Sequence, residues 1–350
     1  MNLITISNGD TVPNRVAVFL CEIQCSFTES IVKRPLPDIT DSEVLAARPV
    51  RNSLDIGRPY GFLVEPERDA YGMVQDVATI FLTNRECPFR CLMCDLWKNT
   101  TVESVPVGAI PQQMDYALER LPNAQHVKLY NSGNFFDARA IPKQDWPAIV
   151  QRVRGFKSVI VENHPKLCGN GCLEFRDMLA AHDVELEIAL GLETVHPEVL
   201  PRLNKQMTTH DFSRAAKRLS SEGIRLRTFI LLRPPFLDED EGVEWALRSI
   251  EFAFEQGVSC CSVVPTRAGN GIMEQLERDG LFGPPQLSSM EIVQERGIRL
   301  EAGRVFMDTW DAQQFAACPE CAKRRVQRIA DMNLSQEVAP RHVCETCGAA

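Results

Sequence analysis

No run in the 350 residues approaches the roughly 20 apolar positions that a membrane-spanning helix needs, and residues 1–10 have neither the basic start nor the apolar middle of a secretion signal. The expected location is therefore the cytoplasm. Positive charge is also in short supply: 38 Lys and Arg stand against 47 Asp and Glu, a formal net charge of −9. That balance excludes a protein that coats nucleic acid over its whole surface and confines any polyanion contact to a local patch. What is present is ordinary for a soluble globular chain, 44% hydrophobic and 24% charged. The length suffices for one large α/β barrel or for two to three smaller domains.

Cysteine departs from this plainness. Thirteen cysteines would suit disulfides in an exported protein, but their grouping into short CxxC and CxxxC pairs is the spacing of metal or cluster ligands. The densest group is Cys87-Pro88-Phe89-Arg90-Cys91-Leu92-Met93-Cys94. Three thiolates in one loop are one fewer than the irons of a [4Fe-4S] cube. One iron would then stay open to a substrate or cofactor, as a three-ligand zinc site keeps a fourth position for chemistry. A zinc knuckle or part of a redox pair is the plainer alternative for the same spacing.

Residues 1–75 read as an irregular entry segment, with a short strand at 15–20, a helical turn or two at 41–47, and Cys21 and Cys25 as buried small hydrophobes or a ligand pair. From residue 76 a regular alternation begins. Strands are expected at 77–83, 126–130, 158–162, 184–190, 225–232 and 259–264. Helices follow the first five, those after the fourth and fifth capped by Thr208 and Asp238 and stopped at Gly223 and Gly257. Six βα units in succession predict an α/β fold, a partial (β/α)6 TIM-like barrel over 76–285, whose active site lies at the carboxyl ends of the strands. The polar groups fall at those ends: Cys87, then Ser132-Gly133-Asn134, Glu162-Asn163-His164, Glu193-Thr194, Arg233 and Arg267. Either arginine is placed to clamp an anion or to lie solvated on the rim. Cys168 and Cys172 follow the third strand as auxiliary ligands or a redox pair, whereas Cys260 and Cys261 sit inside a strand as packing residues.

The CxxxCxxC loop resembles that of the radical S-adenosylmethionine (SAM) superfamily, and the resemblance spans roughly 76–285. It implies a [4Fe-4S] cluster on Cys87, Cys91 and Cys94, SAM on the open iron, and reductive cleavage of SAM to a 5′-deoxyadenosyl radical. An electron donor such as flavodoxin or ferredoxin is implied with them. The same likeness assigns SAM contacts to Gly133, Glu162 and Glu193; Asn134 stands where relatives of this kind place an acidic residue. The ordered runs from Asn131 to Asp137, Val161 to Pro165, Gly191 to Thr194, Leu203 to Lys205 and Leu231 to Leu237 are similar to the Elp3-like branch. Within that branch they most resemble the subfamily containing the radical SAM subunit of archaeosine synthase and its bacterial relatives. A modified nucleoside in tRNA is the substrate this implies. A peptide or small metabolite, a non-catalytic iron-sulfur electron carrier and an RNA-binding scaffold are the alternatives.

The remainder, 286–350, ends in Cys318-Pro319-Glu320-Cys321 and Cys344-Glu345-Thr346-Cys347-Gly348. Paired CxxC knuckles of this kind predict a zinc ribbon, with a second iron-sulfur cluster as the alternative. Lys323, Arg324, Arg325 and Arg328 form the one dense basic run, read as a solvated helical face or as a phosphate contact.

Overall fold

Short apolar runs that are buried on both faces require helices above and below them, and that condition builds this molecule. The computed structural model describes residues 36–341 and 343–348. The strand expected at 15–20 and the pair Cys21 and Cys25 lie outside the described residues. One eight-stranded sheet runs in chain order: β1 (Gly61–Arg68), β2 (Val74–Phe81), β3 (His126–Tyr130), β4 (Ser158–Asn163), β5 (Glu185–Glu193), β6 (Arg225–Leu232), β7 (Cys260–Pro265) and β8 (Arg304–Met307). Strands β2 to β8 are parallel, while β1 pairs antiparallel to β2 with Gly61 opposite Phe81 and Arg68 opposite Val74. The six expected strands are β2 to β7, in order, in a curled partial barrel.

Helices α1 (Asp41–Ala47), α2 (Ala109–Leu118), α3 (Trp146–Val153), α4 (Asn170–Ala180), α5 (Val199–Arg202), α6 (Thr209–Ser221), α7 (Glu239–Glu255), α8 (Ile272–Arg278), α9 (Leu287–Ile298) and α10 (Pro319–Ser335) complete the order. Thr208 and Asp238 do cap α6 and α7: each side chain accepts the third amide of its helix, from Asp211 at 3.1 Å and from Glu241 at 2.8 Å. The sheet reaches beyond both ends of the 76–285 span. Strand β1 tolerates Pro66 because it is an edge strand, and β8 has only four residues, too few for an alternation to be read.

Two devices finish the barrel. At its amino end, Arg227 of β6 reaches across the lumen to Glu67 of β1 at 2.5 Å and beside it to Glu187 of β5 at 2.7 Å; Lys128 of β3 bonds Glu67 at 2.5 Å. These buried charges are mutually satisfied, which is the condition for tolerating them. At the open side, α10 packs against both β1 and β8. Its side-chain amides do the work of a missing neighbour strand. Asn333 accepts from Met307 N and donates to Met307 O, both at 2.9 Å, and Gln336 does the same for Val305 at 2.7 and 3.1 Å.

Candidate active site

The loop bearing Cys87, Cys91 and Cys94 leaves the carboxyl end of β2 and is pinned from several sides. Leu92 is fully buried between α1 and α8, in a small cluster with Val44, Ile272 and Met273. That docking depends on Gly271, whose φ is +93° and where an added Cβ would lie 1.8 Å from Ala47 O. Asn270, buried after β7, donates to Leu92 O at 2.8 Å and to Cys94 O at 3.1 Å. Leu203 O accepts from Leu92 N at 2.8 Å, and Asn204 donates to Arg90 O at 2.9 Å. Glu86 gathers Arg48 at 2.7 Å, Arg90 at 3.0 Å and Arg51, tying the start of the loop to the segment after α1.

The three cysteines lie on the wall of a cavity of about 390 Å³ that also takes in Ser132, Gly133, Asn134, Glu162, His164, Glu193 and Lys205. Phe81, Tyr130, Phe229, Leu231 and Val264 add apolar and aromatic surface to the same lining. Burial pushes the Cys91 thiol up to about 12 and raises Cys87 and Cys94 as well. Thiols so placed become ligands when a cationic centre compensates the lost hydration. All three face a space larger than one ion needs, a donor set and volume that fit a cluster with a further ligand beside it.

The two glutamates are already engaged within the protein. Glu162 Oε1 accepts from Asn131 N at 2.6 Å and from Gly133 N at 3.2 Å, so a carboxylate from β4 orders the turn after β3. Burial raises its pKa to about 7, against those backbone hydrogen bonds. Glu193 ends β5 with φ +68° after an irregularity in register, and its Oε1 bonds Lys205 Nζ at 2.6 Å. Gly191 makes room for that pair: an added Cβ would lie 2.4 Å from Lys205 Nζ and 2.5 Å from Glu193 Oε1. Burial works against the Lys205 charge, but Glu193 and the sulfurs of Cys91 and Cys87 outweigh it and hold the ammonium above its ordinary range.

Asn134, in the acidic position of the resemblance, donates Nδ2 to Cys87 Sγ at 3.1 Å and accepts His164 N on Oδ1 at 2.7 Å. The His164 ring stacks on Phe89 with centroids 3.8 Å apart and meets Lys205 O through Nε2 at 3.0 Å. Burial holds this imidazole neutral, down to about 3. Sequence reasoning assigned no role to Asn134, His164, Lys205 or Asn270. Their signal was position, in short polar runs at strand ends.

Other expected residues fall elsewhere. Arg233 is paired with Glu239 and the Pro284 carbonyl, both at 2.7 Å, and Arg267 with Asp308 at 2.9 Å, so neither lines the cavity as an anion clamp. Cys168 and Cys172 are buried beside one another under the loop after β4, apart from the residues that line the cavity. Cys260 and Cys261 are fully buried in β7, as packing residues should be.

In the tail, the ligand atoms of Cys318, Cys321, Cys344 and Cys347 all lie within 4.8 Å of one another, with 4.0 Å between the Cys321 and Cys347 sulfurs. Ligands 2.3 Å from a tetrahedral ion stand about 3.8 Å apart, whereas the corners of an iron cube hold their thiolates farther apart. The Cys344 thiol is drawn down to about 6 by the backbone amides of Cys347 and Thr346, and Gly348, at φ +69°, closes the knuckle on Cys344 O at 2.8 Å. The group is able to hold a metal ion. The basic run beside it is divided: Lys323 and Arg324 are exposed, but Arg325 bonds Glu291 at 2.5 Å, and Arg328 is buried on Glu295 at 2.8 Å, Glu291 at 3.4 Å and the Ala339 and Pro340 carbonyls. Arg325 and Arg328 therefore hold α10 to α9, and the expected four-residue phosphate contact shrinks to two.

No protein-family model matches the chain. It is 27% identical over 291 residues to an uncharacterized protein of Methanocaldococcus jannaschii, covering 76% of this chain and 79% of that one. It is 26% identical over 221 residues to archaeosine synthase subunit beta of Methanosarcina acetivorans, covering 59% of this chain and 61% of that subunit. Among solved structures, archaeal Elp3 of Methanocaldococcus infernus aligns with a TM-score of 0.46 and 14% identity, over 63% of this chain and 59% of that one.

Proposed function

We propose that this chain, a radical SAM enzyme, carries a [4Fe-4S] cluster on Cys87, Cys91 and Cys94, binds SAM across the same cavity, and acts on a modified nucleoside in tRNA. One observation carries the cofactor reading: the three thiols share a single cavity with Gly133, Glu162 and Glu193 at the carboxyl ends of the strands. A pure electron carrier needs no such space beside its cysteines.

Bound there, the cluster and SAM would supply a 5′-deoxyadenosyl radical by reductive cleavage of the sulfonium. The chain's own residues position and protect. Glu162 and Glu193 offer carboxylate oxygens suited to an ammonium group or to ribose hydroxyls. The turn that Glu162 orders presents Gly133, a backbone approach without a side chain in the way. Phe81, Tyr130, Phe229, Leu231 and Val264 line the cavity with apolar and aromatic surface, which excludes water from a reactive intermediate. Anaerobically reconstituted protein given SAM and dithionite should release 5′-deoxyadenosine, and Cys91→Ala should not. Four irons bound without any such product would instead favour the electron carrier.

Kinship with archaeosine synthase subunit beta supports a tRNA substrate, as do Lys323 and Arg324, exposed at the start of α10 next to the four-cysteine group. Zn²⁺ suits that group better than a second cluster, on the sulfur spacing. Phosphate contacts release counterions, so tRNA affinity should fall steeply with salt, and less steeply after Lys323→Ala with Arg324→Ala. No tRNA binding at low salt, together with an unaltered nucleoside profile in cells lacking the protein, would remove the substrate and leave the enzyme class standing.

A further inference from the structure

Asn134 is oriented without ambiguity. Its Oδ1 accepts the His164 backbone amide at 2.7 Å, and a backbone N–H can only donate, so Nδ2 is the group turned toward Cys87 Sγ, 3.1 Å away. His164 is itself fixed, stacked on Phe89 and joined through Nε2 to the carbonyl of Lys205. Lys205 then directs its ammonium to Glu193, both buried beside the cavity that the cysteines line. A neutral donor and a cation are thus linked to one another and held against the thiolate loop. A carboxylate at 134 would bring only acceptors to the same sulfur.

We propose that Asn134 and Lys205 set the reduction potential of the cluster, Asn134 by donating its amide to the Cys87 sulfur and Lys205 by offsetting the buried Glu193 carboxylate beside the same cavity. This rests on the cluster reading above. Adding one electron makes the iron-sulfur core and its thiolates more negative. A hydrogen bond to sulfur and a nearby cation both stabilise that form, so each raises the potential. The electron comes from the external donor, and neither residue is consumed. Both are positioning residues: they act through the ligand sulfurs and the local field.

The test is an EPR-monitored redox titration of the reconstituted full-length protein without SAM, with iron counted for each variant. Asn134→Asp keeps the size and the acceptor for His164 but puts a negative charge where the donor was; Lys205→Met leaves Glu193 without its cation and Lys205→Arg retains one. Asn134→Asp and Lys205→Met should each lower the midpoint enough that, at the native midpoint, the reduced-to-oxidised ratio drops about tenfold, 59 mV for a one-electron couple. Lys205→Arg should titrate near the native value. Fully loaded variants that all titrate at the native midpoint would overturn the proposal while leaving the cluster in place. A native protein that takes up no cluster through its three cysteines would overturn the functional reading first, and this one with it. Should Asn134→Asp fail to retain iron, the pair Lys205→Met and Lys205→Arg decides: equal midpoints overturn the proposal, and a drop confined to Met supports it.

Discussion

Arg328→Ala separates two meanings of the same basic run. Read along the chain, Arg328 and Arg324 are equivalent cations; in the fold, Arg324 is exposed and Arg328 is 4% exposed, bonded to Glu291, Glu295 and two carbonyls of the segment that follows α10. Removing Arg328 leaves Glu291 with Arg325 and Glu295 with Arg341, so it strips charge-assisted hydrogen bonds from a buried network without orphaning a carboxylate, at a cost of about 1.5–3 kcal/mol. Unfolding entropy near 60 °C is about 2.1 cal/mol/K per residue, or about 0.6 kcal/mol/K for roughly 300 cooperating residues, so the melting temperature should fall by about 2–5 °C. Differential scanning calorimetry of Arg328→Ala beside Arg324→Ala reads this directly. Arg324→Ala should melt within about 1 °C of the native protein, since exposed charges contribute little to stability. If Arg328→Ala melted like the native protein and lost tRNA affinity as Arg324→Ala does, the buried-network account of α10 would be wrong.

Three other outcomes are expected. Glu162 is protonated below about pH 7 in the free protein because burial disfavours its charge; ionisation suits a bound ammonium, so SAM affinity should strengthen as pH rises through 7 and lose about tenfold per unit below it. Equilibrium binding between pH 5.5 and 8.5 measures this, and a slope unchanged in Glu162→Gln would remove Glu162 from the site. Gly191→Ala should displace the Glu193–Lys205 pair and destabilise the fold by about 1–3 kcal/mol in urea titration, an overpacking effect; an unshifted midpoint would show that the pair moves without strain. Cys344→Ala should abolish binding of one Zn²⁺ per chain and speed amide exchange in α10 while iron content stays native; a parallel loss of iron would mean that the two sites do not load separately.

The parallel strands were legible because the physics that builds them is local. The second half of β6, Phe229 to Leu232, is apolar throughout, and Thr208 and Asp238 announce α6 and α7 one residue early. Strand β1 was not legible, since Glu65, Pro66, Glu67 and Arg68 look like a turn until Arg227 and Lys128 arrive from distant strands to pair with Glu67. At the site, the cysteines announced themselves by spacing. The contact of Asn134 with Cys87 did not, because the two lie 47 positions apart. Arg328 was misread for want of a helical projection: Cys321, Arg325, Arg328, Ile329 and Met332 share one face of α10, and that face turns inward.

Sheet edges invite company, because a row of unpaired N–H and C=O groups is a template for any passing strand. Here β8 presents such a row at Val305 and Met307, and two side-chain amides, Asn333 and Gln336, occupy it. The guard is only as firm as α10, which begins at the cysteine knuckle Cys318 and Cys321. Stripping metal from the tail would therefore be felt as a change of solubility. With α10 loosened, β8 and β1 become adhesive, and the protein should self-associate through them. Asn333→Ala with Gln336→Ala should reproduce that behaviour with the metal still bound.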